Sequence, residues 1–191
     1  MNPLTSITGT IITGFVLAVI LVLIMSITGF SVMSFEVWFH AIAGVIWIGL
    51  LYYFNFVQVP GLGAAKADGT AAGITKHIAP RALLWFRWGA VATWLTGVGA
   101  LQNLAPNGAI KAFMFSDGMA VIGLGAWLGT IMLFNVWVLI WPNQKKVLGL
   151  VEASDEAKAK AGKIALMASR TNTALSIPML MAMTGFAHGL G

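Results

Sequence analysis

Long apolar stretches follow one another along this 191-residue chain, with few charges between them. A bilayer core ~30 Å thick is crossed by about 20 helical residues. Backbone amides have no partner in lipid, so segments that cross it close their hydrogen bonds within a helix. Five stretches fit, over residues 9–30, 35–59, 81–103, 116–141 and 154–186. The expected fold is all-α: a single domain over residues 1–191, built as an integral membrane bundle of five transmembrane helices.

Composition supports this and removes several function classes. Hydrophobic residues make up 59% of the chain and charged ones 9%, against roughly 25% charged in a soluble domain. There is no cysteine. That excludes disulfides, thiolate metal sites, iron–sulfur clusters and haem attached through C-x-x-C-H. The net charge of +5 is a matter of topology, not of nucleic-acid binding. Lys66, Lys76 and Arg81 flank the second connector, and Lys145, Lys146, Lys158, Lys160 and Lys163 the fourth. Across the membrane from them stands Lys111 alone. The positive-inside rule puts the N-terminus in the cytoplasm and the C-terminus in the periplasm. Residues Met1–Ser6 hold no Lys or Arg, and the apolar run after them exceeds a signal-peptide core, so a retained helix is expected.

Local signals set the expected boundaries. Pro60-Gly61 ends the second helix, and residues 61–80 form a surface connector. Pro80 suits the first turn of the third helix, and Ala105-Pro106-Asn107-Gly108 is a turn. Ser116 is the expected N-cap of the fourth helix, with Asp117 in its first turn and Pro142-Asn143 as its stop. Ser154 caps the fifth, in which Pro178 is expected to make a kink.

Polar side chains in a bilayer are costly and tend to face the bundle. On the second helix Glu36, His40, Gly44, Trp47, Leu51, Asn55 and Gln58 recur at steps of three or four and share one face. On the fifth, Arg170, Thr173, Ile177, Met181, Thr184 and His188 form a second stripe, expected to meet the first across the interior. Arg87 and Arg170 then border an inner-leaflet pocket with Asn135 and Asn172. No carboxylate lies in the inner half of any helix, so the pair suits an anionic cofactor, substrate or lipid phosphate. Two roles are open to His40: an axial haem or metal ligand oriented by Glu36, or a hydrogen bond between helices. His188 and His77 are expected to be exposed. The tryptophans belong to interfacial belts. Gly125-x-x-x-Gly129 is a helix-packing face, and Met179, Met181 and Met183 are packing residues on different faces.

Four strings carry a family resemblance: residues 40–58 (HAIAGVIWIGLLYYFNFVQ), 78–89 (IAPRALLWFRWG), 134–146 (FNVWVLIWPNQKK) and 169–179 (SRTNTALSIPM). Over about residues 35–183 the chain resembles the membrane part of the urate hydroxylase, or urate oxidase N-terminal-like, family of bacteria. His40, Gly44, Trp47 and Gly49 match its H-x-x-x-G-x-x-W-x-G pattern, and Arg87 its F-[RK]-W position. Asn135 and the string Arg170–Asn172 match its short members. The longer members continue into a cytochrome c domain, for which this chain lacks the cysteines. The H-x-x-x-G-x-x-W-x-G helix is also similar to those of haem-associated membrane families such as bacterial protoporphyrinogen oxidase. The resemblance implies a bacterial inner-membrane protein, redox-active, with haem b at His40 and electrons passed to a separate carrier. The competing class is a non-catalytic accessory subunit of a respiratory or photosynthetic complex. Transport is disfavoured, since no inverted repeat or pair of broken helices is present.

Overall fold

The computed structural model describes residues 2–24 and 29–190, and every regular element among them is helical. We number six helices: α1 (Ile7–Ile24), α2 (Val32–Ala67), α3 (Ala79–Leu104), α4 (Gly108–Phe113), α5 (Ala120–Val147) and α6 (Asp155–Ala187). α1, α2 and α5 are each long and apolar enough to cross a membrane. α3 and α6, with 26 and 33 residues, are long but more polar. Part of the expected first helix, residues 25–28, lies outside the described residues.

Two antiparallel pairs build the bundle. α2 packs lengthwise on α3, and α5 on α6. Within the first pair Phe54 meets Phe86 edge-on at 5.4 Å, and between the pairs Trp88 meets Trp137 at 5.4 Å. The core joins Trp47, Leu51, Phe54, Phe86, Met132, Val136 and Met179. α1 has no buried residue, and its Phe15 touches Trp38 of α2.

Glycine sets how closely α2 and α3 approach. A Cβ on Gly89 would stand 3.4 Å from Ile46 and 3.5 Å from the Trp47 backbone. A Cβ on Gly97 would stand 2.8 Å from the His40 ring, and one on Gly99 would collide with the Glu36 carboxylate. On α5, a Cβ on Gly125 would stand 3.1 Å from the Met183 side chain, whereas one on Gly129 would meet open space. Of the expected glycine face, Gly125 is thus a helix contact within the fold. Met179 is buried while Met181 is exposed, as alternate positions require.

Three expected helix ends are corrected. Pro60 and Pro142 do not stop their helices. α2 runs on to Ala67 and α5 to Val147, each through a π-helical turn, Tyr53–Gln58 and Asn135–Ile140. A third, Ile74–Ile78, precedes Pro80 and makes much of the expected 61–80 connector helical. Proline lacks an N–H, and its ring clashes with the carbonyl four residues back. Widening the preceding turn by one residue removes the clash and lets the helix continue. The third correction is Ser116, which is not an N-cap. α4 fills residues 108–113, and the chain then turns through positive φ at Phe115, Asp117 and Gly118 before α5 starts at Ala120. Asp117 is held there by Lys111 at 2.9 Å. The Ala105–Gly108 turn and the Ser154 cap, which accepts from the Ala157 amide at 3.2 Å, stand as expected.

Candidate functional site

The α2 stripe faces the bundle as expected. His40 lies against Gly97, and its Nδ1 is 2.7 Å from the Thr93 carbonyl oxygen. A carbonyl only accepts, so Nδ1 carries the proton and Nε2 keeps its lone pair. Thr93 is fixed in turn by its hydroxyl, which donates to the Gly89 carbonyl at 2.7 Å. Glu36, one turn earlier, accepts from Asn103 at 2.8 Å and lies over Gly99. The carboxylate therefore binds α3, and the Thr93 carbonyl is what orients the imidazole. Among the described residues no set of three His, Cys, Asp or Glu converges, so a metal at His40 would have at most two side-chain ligands of that kind. His188 is exposed, with Nδ1 bonded to its own helix at Thr184. His77 is exposed in the turn before α3.

The α6 stripe does not face inward, a correction to the expected meeting of stripes. Arg170 and Thr184 are exposed, as are Ile177 at 66% and Met181 at 57%. The buried face carries Ala161, Ala165, Ala168, Asn172, Ser176, Met179, Ala182 and Gly185. Small residues, not charged ones, allow the close approach to α5.

Asn135 and Asn172 do come together. Asn135 Nδ2 donates to Asn172 Oδ1 at 2.8 Å, and Asn172 Nδ2 donates to the Met132 carbonyl at 2.9 Å. Both are buried. Asn135 is the first residue of its π turn, whose altered ladder leaves the Met132 carbonyl able to accept from a side chain. An open groove of about 430 Å3 runs past this pair, lined by Asn135, Leu139, Lys163, Ile164, Met167 and Thr171.

On the other side of α6, Asn55 donates to Ser169 at 2.8 Å, and Tyr52 meets Ser176 at 2.9 Å. Ser176 spends its own proton on the Thr173 carbonyl, so Tyr52 is the donor. Two acceptors, Asn55 Oδ1 and Gln58 Oε1, and two donors, the indole N–H groups of Trp47 and Trp137, are buried with no protein partner among the described residues. Three of these four, Asn55, Gln58 and Trp137, lie within two π turns.

Arg87 is half-buried on α3, whereas Arg170 is exposed on α6. The Arg87 guanidinium stacks on Trp141, 3.9 Å from the ring centroid, and Lys145 sits 5.9 Å from the same centroid. Thr93, Ser169 and Ser176 were not singled out from sequence, nor was Lys145 as anything beyond a topology signal or Trp141 beyond a belt residue. Only Trp141 and Lys145 carried a local signal, their i, i+4 spacing on one helix.

No curated protein and no solved structure matches the chain. The profile of the family described as Urate oxidase N-terminal matches residues 105–189, which takes in α4, α5, α6 and the Asn135–Asn172 pair. Over that stretch the chain carries the pattern of the urate oxidase N-terminal family, consistent with its being a member.

Proposed function

We propose that this chain is a redox membrane protein of the urate oxidase N-terminal type, with five transmembrane helices, in the inner membrane of a bacterium. α3 and α6 lie lengthwise on α2 and α5, which supports their crossing the membrane together. The observation that carries the redox reading is His40. Its tautomer is fixed through Nδ1 by a backbone carbonyl, and Nε2 keeps a lone pair for an iron or a proton. Haem b is the group this donor suits. When bound it would supply one-electron chemistry. His40 would hold it, with the imidazole seated against Gly97. These residues hold no cysteine with which to attach a c-type haem, so a redox role would need a separate electron carrier. A planar anion of the urate class is the substrate that the family's name suggests. The groove beside Asn135 is largely apolar, with Asn135, Thr171 and Lys163 as its polar lining residues.

The test is an absorption spectrum of gently purified protein, oxidised and dithionite-reduced, for wild type and His40→Ala. A b-type α-band lost in the variant is expected. A featureless wild-type spectrum after expression with haem supplied overturns the reading.

One observation favours a second reading, an accessory subunit of a larger membrane complex. α1 carries no charged residue and has no buried residue in its own bundle, as suits a helix that packs on another protein. Stoichiometric membrane partners that depart when residues 1–24 are deleted would establish it.

A further inference from the structure

We infer that Arg87, Lys145 and Trp141 form a binding site for the phosphate of an anionic phospholipid headgroup. This goes beyond the redox reading and does not depend on it. Arg87 comes from α3, and Trp141 and Lys145 from α5, so two helices build the site. The guanidinium lies 3.9 Å from the indole centroid, close enough to use its π face on the ring. Its N–H donors lie in the perpendicular sense, in the guanidinium plane, and among the described residues no hydrogen bond or carboxylate engages them. A cation stacked by its face and open at its edge is suited to a tetrahedral oxyanion. Lys145 adds a second charge 5.9 Å from that centroid. The two cations are thus no farther apart than a screening length of ~10 Å at 0.1 M salt. Like charges so placed repel each other, and a shared anion relieves the repulsion.

The surroundings favour a lipid over a soluble anion. Trp85 and Trp88 flank Arg87 in sequence and are 51% and 54% exposed. Trp88 packs edge-on against Trp137, one turn before Trp141. Such tryptophans mark the headgroup level of a bilayer. The site therefore sits where phosphates are, with exposed aromatic surface beside it for acyl chains. The same end of the bundle carries the basic connectors, and basic pockets between helices at that level bind anionic headgroups.

The test uses the full chain in detergent, with native mass spectrometry to count bound lipid. Phosphatidylglycerol, phosphatidylcholine and inorganic phosphate are offered in turn. Wild type, Arg87→Gln, Lys145→Gln and the charge-matched control Lys160→Gln are compared. The expected result is one phosphatidylglycerol retained about tenfold better than phosphatidylcholine. Both site variants lose that preference, and the control keeps it. If Arg87→Gln fails to fold, Lys145→Gln carries the test, because its stem is at the surface. Equal retention of the two lipids, or a preference untouched by the site variants, overturns the proposal. So does inorganic phosphate displacing the lipid at millimolar concentration, which would make the occupant a soluble anion.

Discussion

At the scale of single residues, this bundle is specified by small side chains and by a few hydrogen bonds placed between helices. Gly97 is the clearest case. A methyl there would stand 2.8 Å from the His40 ring, so Gly97→Val must push α2 from α3 or turn the imidazole off the Thr93 carbonyl. Overpacking of this kind costs about 1–3 kcal/mol. A lower melting temperature in detergent is expected, together with loss of whatever spectrum His40 supports. Gly129, with open space around its Cβ position, should accept alanine without change. The Asn135–Asn172 bond tests a different term. Interhelical hydrogen bonds in membranes average roughly 0.6 kcal/mol, whereas a buried amide left without its partner costs about 1–3 kcal/mol. Asn135→Leu should therefore destabilise more than the bond is worth. The double variant Asn135→Leu/Asn172→Leu should recover part of the loss, read as a coupling in thermal unfolding. Strict additivity would show that the two side chains act apart.

At the scale of elements, the faces of α2 were legible and that of α6 was not, for a physical reason. α2 marks its inward stripe with large residues, Trp47 and Leu51, beside small Gly44, and the spacing alone assigns the face. α6 packs through alanines and Ser176, which any polarity-based reading passes over, and Arg170 drew attention to the wrong side. A long arginine at the membrane edge can lie along the surface and reach water. Two prolines were misleading in the opposite sense. Pro80 stands in the first turn of α3 as expected, but Pro60 and Pro142 signalled a break where a π turn upstream absorbs the ring and the helix continues. That turn holds one residue more than an α-helical register needs. Deleting Val138, an exposed residue inside it, in a Pro142→Ala background should therefore restore an ordinary helix with both flanks still facing correctly. Deleting Leu128 from the regular part of α5 would instead rotate everything after it by about 100°. The first variant should elute as a folded species on size exclusion and keep Trp141 beside Arg87. The second should aggregate.

At the scale of the whole molecule, hydropathy and the count of basic residues set the helix order and the ends. They did not show that the bundle is two antiparallel pairs joined by Trp88–Trp137 and Arg87–Trp141, because pairing depends on which faces close over which. Nor did they show α4, a short helix that spacing reads as part of a turn. The proposed orientation is open to a direct check, since the chain has no cysteine of its own. Single cysteines at Lys160 and Asn107 report the two sides. In intact cells an impermeant maleimide should label Asn107→Cys and leave Lys160→Cys unlabelled until the membrane is opened. The reverse pattern would invert the topology.

The three π turns share one further property: all of them lie at the same end of the bundle as the basic connectors. At the other end α2 and α3 are zipped by glycine contacts. The molecule is therefore mechanically uneven along its axis. Backbone amides near Thr93 and Gly97 should exchange with deuterium slowly. Those from Tyr53 to Gln58 and from Asn135 to Ile140, in widened ladders, should exchange faster at equal depth. Any opening and closing that accompanies turnover or docking would be confined to that looser end, with the His40 end serving as the fixed frame against which it moves.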